Sequence, residues 1–285
     1  MIATSPTRPL MRYHGGKWLL ADWIIGHFPQ HRAYVEPYGG AGSVLFQKPP
    51  ARGEVYNDLD GEVVNVFQVL RDPAAAAELE RLLRLTPFAR AEFVQSYERS
   101  DDPVEQARRT ITRSFMGFGS PSVSGHRTGF RANGYRSTTA PADDWANYPR
   151  EIRAFAARLR GVVIECRPAV EIIRQQDDRE TLFYCDPPYP IGTRNRGNGY
   201  NKKDYRHEMT DDDHRQLAEV LRQARGMVVL SGYPCDLYDR ELYADWHRVE
   251  RSSMADGARA RTEVLWLSPA AVARGRQLRL MEVSA

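Results

Sequence analysis

The sequence predicts an α/β fold: a Rossmann-like core interrupted by a mainly helical insert. Short apolar runs at residues 33–36, 54–57 and 181–185 each end on an acidic residue or run directly into one. That is the pattern of strands delivering polar groups to the carboxyl edge of a sheet, where open α/β sheets bind ligands. The first run passes through the glycine-rich turn Pro37-Tyr38-Gly39-Gly40-Ala41-Gly42-Ser43 into apolar Val44, Leu45 and Phe46, giving strand, turn, helix. From Asp72 the composition becomes alanine-rich and helical, and alternating helix and strand resumes near residue 150. The chain therefore divides into a core of residues 1–71 and 150–285 and an insert of residues 72–149, an ordinary size for a core with one added module.

Bulk properties exclude several classes. The formal net charge is only +3, so an argument for nucleic acid must rest on where charges cluster. Cys166, Cys185 and Cys235 show no C-x-x-C spacing and leave one thiol over in any disulfide scheme, as expected of a reduced cytoplasmic protein without a zinc site. No apolar run approaches the roughly 20 residues that span a bilayer, and residues 1–9 have no signal-peptide core. A soluble protein is expected, with no membrane and no metal.

In chain order, Tyr13-His14-Gly15-Gly16-Lys17 precedes an apolar stripe (Trp18, Leu19, Leu20, Trp23, Ile24, Ile25, Phe28) at helical spacing. A glycine pair and a lysine at a helix start make an anion site; the plainer reading is a turn before a core helix. Glu36 closes the first strand, and the glycines after it let a ligand approach the backbone. The run at 54–57 leads into Asp58, about 20 residues beyond the glycine turn, where an acid reads a ribose in nucleotide-binding folds. Its alternative role is N-cap of a helix over residues 61–70.

Within the insert, Thr86-Pro87 and Asp102-Pro103 pair a capping residue with proline, predicting helices over 87–97 and 103–115. Between Glu105 and Asp143 no acid occurs, whereas Arg108, Arg109, Arg113, Arg127, Arg131 and Arg136 do, which predicts a basic face. Residues 128–136 suit a hairpin, with Phe130, Asn133 and Tyr135 among the arginines. Arginine reads guanine edges and phosphates and asparagine reads adenine; the plainer reading is a solvated loop. A helix over 151–160, a strand over 162–166 and a helix over 168–176 return the chain to the core. The run at 181–185 then ends in Asp186-Pro187-Pro188-Tyr189. Prolines stop the strand and hold its last groups rigidly. A carboxylate, a proline carbonyl and a ring face suit a planar substrate bearing an amine, although an Asp-Pro pair also forms ordinary turns. Residues 191–206 follow as a polar segment with Gly192, Gly197 and Gly199 as hinges and Arg194, Arg196, Lys202 and Lys203 as cations, fit to close over substrate or track a phosphate backbone. Thr210-Asp211-Asp212-Asp213 caps a helix to residue 225, and strands are expected at 227–231 and 263–267.

Asp186-Pro187-Pro188-Tyr189 matches the catalytic motif of methyltransferases that act on adenine amino groups in DNA. With its neighbours it makes the chain resemble the Dam-like family of DNA adenine methylases. The resemblance runs over residues 13–267 in the family's motif order and is weakest over 72–149. It implies a methyltransferase core and S-adenosylmethionine as cofactor, with Tyr13, Lys17, Glu36, Gly40, Gly42, Asp58 and Asp186 at the cofactor. Lys17 would meet the methionine carboxylate, and Glu36 suits a ligand that carries a sulfonium and an ammonium but no phosphate. The insert would recognise double-stranded DNA, with Arg127, Arg131, Asn133 and Arg136, helped by Lys202 and Lys203, as contacts. Arg259, Arg261 and Glu263 resemble family positions without a role derivable from sequence.

The implied reaction moves a methyl group to N6 of an adenine flipped out of the duplex. Asp186 and the Pro187 carbonyl would accept the amine hydrogens, and Tyr189 would stack on the base. Alternatives are methylation of cytosine N4, of an RNA adenine or of a glutamine amide, or a DNA-binding regulator that retains the fold without chemistry. Monomer and homodimer both remain open.

Overall fold

The computed structural model describes residues 5–118, 127–132, 140–193, 205–255 and 259–275. Among these residues seven strands form one mixed sheet: β1 (Ala33–Glu36), β2 (Gly53–Asn57), β3 (Val162–Glu165), β4 (Thr181–Cys185), β5 (Met227–Gly232), β6 (His247–Ala255) and β7 (Arg259–Leu267). Their order across the sheet is β3-β2-β1-β4-β5-β7-β6. The first five are parallel, and β7 enters antiparallel between β5 and β6. After β1 the chain builds outward through β2 and β3; β4 then starts on the other flank of β1. The gap between the carboxyl ends of β1 and β4 is therefore a topological switch point, the crevice where such sheets bind ligands.

Both faces are covered, and the strands show it by strict alternation. Tyr34, Tyr56, Leu182, Tyr184, Met227, Val229, Leu265 and Leu267 enter one hydrophobic cluster. Val35, Val55, Phe183, Cys185, Val228, Leu230, Val264 and Trp266 enter the other. The first cluster is closed by α1 (Ala21–Ile25), α2 (Ser43–Gln47), α3 (Gly61–Arg71), α4 (Pro73–Leu85), α5 (Arg90–Gln95), α6 (Pro103–Met116), α7 (Pro141–Asn147) and α8 (Ile152–Arg158). The second is closed by α9 (Ala169–Gln175), α10 (Asp211–Gln223) and a π-helical turn, Leu237–Leu242.

Helix starts follow local chemistry. Asp60, Asp72 and Asp102 accept backbone N–H groups at the starts of α3, α4 and α6, and Thr210 and Asp213 form a reciprocal capping box on α10. The N-cap of α3 is thus Asp60, not Asp58. Thr86 does not open a helix: its hydroxyl donates to the Leu82 carbonyl and closes α4, and α5 begins at Arg90. The helix expected directly after Lys17 is shorter than the apolar stripe suggests. It begins only at Ala21, and Leu19 is 90 % exposed.

The α4, α5 and α6 helices share the first cluster with α3 and the sheet, so the expected basic face is only partly a face. Arg108 and Arg113 are buried, Arg108 on Glu92 and Glu105 and Arg113 on Glu62; Arg109 is half-buried on Glu105. The described part of the expected hairpin, residues 128–132, pairs with the end of α6: Phe118 N–H donates to the Gly129 carbonyl and Arg131 N–H to the Met116 carbonyl, and residues 133–136 lie outside the described residues. Among the described residues no helix is long and apolar enough to cross a membrane.

Candidate active site

A cavity of about 330 Å³ opens at the switch point. Tyr13, Lys17, Glu36, Gly40, Asp58, Asp186 and Pro188 all line it, so residues spread over more than 170 positions of sequence meet at the ends of β1, β2 and β4. Gly42, Pro187 and Tyr189 are not on its wall. Gly42 opens α2 with a left-handed φ of 64° and packs against Phe46 and Phe67. Pro187 and Tyr189 lie buried just behind the wall.

The turn after β1 is clamped to β2. Gly39 N–H donates to the Asn57 carbonyl, the Asn57 amide donates to the Pro37 carbonyl, and the Tyr56 hydroxyl donates to the Gly40 carbonyl. The glycines follow from this. A Cβ on Gly39 would lie 2.2 Å from the Tyr56 ring; one on Gly40, at φ +49°, would lie 2.8 Å from the Tyr13 ring. Gly40 N–H donates at 2.8 Å to Asp58 Oδ2, and Asp60 N–H at 2.8 Å to Asp58 Oδ1. Each Asp58 oxygen thus has one fixed partner and a lone pair left for a ligand.

Burial dominates the charges here. It pushes the Glu36 carboxyl from an ordinary 4.5 to about 8, against the nearby Tyr34 hydroxyl and the Leu45 amide, which donates to Oε1 at 3.3 Å. Glu36 Oε2 is buried and meets no hydrogen-bond donor at good geometry among the described residues. Burial also raises Asp58 to about 6 and Asp186 to about 6, the latter despite Lys17 Nζ at 3.0 Å. For Lys17, burial works against the charge, but Asp186 and Glu263 outweigh it and hold the ammonium protonated. Three carboxyls raised by the same cause around one cavity suit a cationic ligand, whose arrival would bring each back toward its ionised form.

Lys17 does not stand at a helix start. Its ammonium donates to the Gly15 carbonyl at 2.6 Å, pairs with Asp186 and sits 4.8 Å from the Tyr189 ring centroid. Tyr189 is 3 % exposed, with Tyr233 edge-on at 4.5 Å and its hydroxyl donating to Glu263. The ring therefore does not face the cavity in this conformation; Pro188 and Asp186 do. Glu263, which sequence reasoning left without a role, is within 3.7 Å of Lys17. Standing at the junction of the polar and apolar halves of β7, it has no local signal; its burial and its partners come only from the fold.

Tyr205, Arg206 and His207 form part of the cavity rim, and Arg206 is anchored to Asp60 at 3.1 Å and Glu62 at 3.0 Å. Of the expected DNA contacts, Arg127 is exposed with its guanidinium 5.7 Å from the Tyr97 ring centroid. Arg131 is half-buried and donates to the Phe115 carbonyl at 3.0 Å. Asn133, Arg136, Lys202 and Lys203 lie outside the described residues, as do the hinges Gly197 and Gly199.

Residues 13–255 match the family model described as D12 class N6 adenine-specific DNA methyltransferase. The chain is 25 % identical to the DNA adenine methylase of Vibrio cholerae, over 83 % of this chain and 84 % of that protein. It is equally identical to the DNA adenine methylase of Escherichia coli K12, over 88 % and 90 %. The Type II methyltransferase M.MjaIII of Methanocaldococcus jannaschii is 21 % identical over 82 % and 87 %.

Proposed function

Given that the chain belongs to the D12 class of N6 adenine-specific DNA methyltransferases, we propose that it takes the methyl group from S-adenosylmethionine and places it on N6 of an adenine flipped out of duplex DNA. The observation that carries this is the meeting of Glu36, Asp58 and Asp186 around one cavity at the switch point. Its volume lies at the lower end of the roughly 300 to 1,000 Å³ usual for small-ligand sites. The residues fit the cofactor: a buried acidic wall with an unsatisfied Glu36 oxygen suits a molecule with a sulfonium and an ammonium. When bound, S-adenosylmethionine supplies an electrophilic methyl group.

The chain's own residues do the rest. Asp58 offers its remaining lone pairs to ribose hydroxyls, and Glu36 offers negative charge. Asp186, on the rigid strand end, would accept a hydrogen bond from the target amine, so that the lone pair, otherwise delocalised into the purine, could take the methyl group as its bond to the cofactor sulfur breaks, and the amine's surplus proton would pass to Asp186 and on to solvent. Positioning is the main requirement, and the prolines and the β4 ladder provide it. Tyr189, in this reading, packs against the base in the orientation its hydroxyl contact fixes, and Lys17, its ammonium still beside Asp186 and Glu263, meets the cofactor carboxylate. Arg127 and Arg131, with Asn133, Arg136, Lys202 and Lys203, are proposed contacts to DNA, within a recognition unit of residues 72–149.

Incubating the purified protein with duplex DNA and methyl-labelled cofactor, then analysing nucleosides, should give labelled N6-methyladenine, and Asp186→Ala should abolish it. Label only on cytosine or only on RNA would overturn the choice of substrate. A near wild-type rate for Asp186→Ala at saturating cofactor would overturn the mechanism.

A further inference from the structure

Glu263 sits on β7 with its side chain only 4 % exposed. One of its oxygens, Oε1, accepts from Ser231 Oγ at 2.8 Å and from the Tyr189 hydroxyl, with Lys17 Nζ at 3.7 Å. Donors from β5, from the motif after β4 and from the segment before α1 thus converge on one buried atom. A buried carboxylate is costly unless paired, and a packed hydrophobe in its place is often as stable or more so. Leu265 and Leu267 take that alternative on the same face of the strand. The fold by itself does not ask for an acid at 263; its partners are residues of the active site.

We propose that Glu263 is a positioning residue for methyl transfer, fixing the Tyr189 ring through its hydroxyl and sharing the Lys17 ammonium with Asp186. The proposal rests on the reading of Asp186 and Tyr189 as the catalytic pair. Its geometric part is the anchored hydroxyl, which leaves the ring one orientation, braced by Tyr233, whose own hydroxyl accepts from Arg261 at 2.9 Å. Its electrostatic part concerns Asp186. With Lys17 alone opposite, the carboxylate would be spent in a closed ion pair. A second acid competing for the ammonium leaves Asp186 lone pairs for the amine hydrogens. The titratable groups acting on Asp186 are Lys17, Glu263, Tyr189, Glu36, Tyr184 and Cys185. Of these, the change Glu263→Gln neutralises only Glu263, whose charge raises the Asp186 carboxyl.

Glu263→Gln keeps an oxygen for Ser231 and Tyr189 and removes the charge. It should lower kcat by roughly tenfold, the scale of one charge-assisted hydrogen bond, leave KM for the cofactor within about threefold, and move the acid limb of kcat to lower pH. Carboxyl 13C NMR of Asp186 should show the same downward move without any turnover. Glu263→Asp retains the charge with a shorter reach, so kcat should fall while the acid limb stays put; this arm also serves if the Gln variant does not fold. Wild-type kcat in either folded variant, or an Asp186 titration unmoved by Glu263→Gln, overturns the proposal. If the wild-type protein methylates no DNA, the functional reading is what fails, and the Asp186 titration still decides the link to Glu263.

Discussion

Replacing Glu36 by Gln should stabilise the ligand-free protein, and by more as the pH rises. The carboxyl is 2 % exposed and is raised from 4.5 to about 8 in the folded state. A group whose folded pKa lies above its unfolded value favours folding while protonated and loses that contribution as pH rises through the interval, here from about 4.5 to about 8. At pH 7 the folded carboxyl is ionised about one part in ten, and holding it protonated costs on the order of 3 kcal/mol relative to an unperturbed Glu. At about pH 5 the difference shrinks to roughly 1 kcal/mol, and near pH 8.5 it grows to between about 4 and 5. Gln reproduces the protonated shape and never ionises, so the difference in unfolding free energy between variant and wild type should follow this curve. Denaturant unfolding at the three pH values measures it, and taking the difference cancels Asp58 and Asp186, whose raised carboxyls slope the same way in both proteins. A gap that does not change with pH would refute the reasoning. The same protonation predicts proton release when a cationic cofactor binds near neutral pH, seen as a binding enthalpy that depends on the buffer.

Asp58→Ala should weaken cofactor binding by about 1.5 to 3 kcal/mol, roughly ten- to a hundredfold, since it removes a charged acceptor and frees the Gly40 and Asp60 amides; unchanged calorimetric affinity in a folded variant would reduce Asp58 to a backbone clamp. Gly40→Ala should cost at least about 1 to 2 kcal/mol from its left-handed φ alone, plus displacement of the Tyr13 ring, and a melting temperature equal to wild type would contradict this. Arg127→Ala, which removes an exposed cation, should lower the salt dependence of DNA binding by about one unit with little loss of stability. Arg131→Ala should destabilise the protein as well, because its guanidinium holds the end of α6; equal behaviour of the two would show that burial does not separate them.

The parallel half of the sheet was legible because β1, β2 and β4 are apolar runs that stop at Glu36, Asp58 and Asp186, and buried strands leave that pattern. The β6 strand was not: His247, Arg248, Glu250 and Arg251 give it the charged composition of a sheet edge, which reads as loop. The α1 helix was overextended because Leu19 shares the spacing of its neighbours but points to solvent. Arg108, Arg109 and Arg113 appeared to form a basic face because Glu62 and Glu92, which pair with Arg113 and Arg108, lie 51 and 16 residues earlier, and because Glu105, three and four residues before Arg108 and Arg109 on the same helix, serves both. Glu263 had no local signal at all. Its meaning comes from Tyr189, 74 residues earlier, and Ser231, 32 residues earlier.

The antiparallel entry of β7 between β5 and β6 has a consequence for synthesis of the protein on the ribosome. The wall that holds Lys17 joins segments translated near the start and near the end of the described chain, while β5 is left with an open edge until β7 arrives. A nascent chain stopped after β5 already carries Lys17, Asp58 and Asp186, yet lacks the strand that anchors Tyr189 and covers that edge. Such chains should be inactive and prone to pair through β5 with other strands. The Lys17–Asp186–Glu263 arrangement is therefore complete only after β7 has been made.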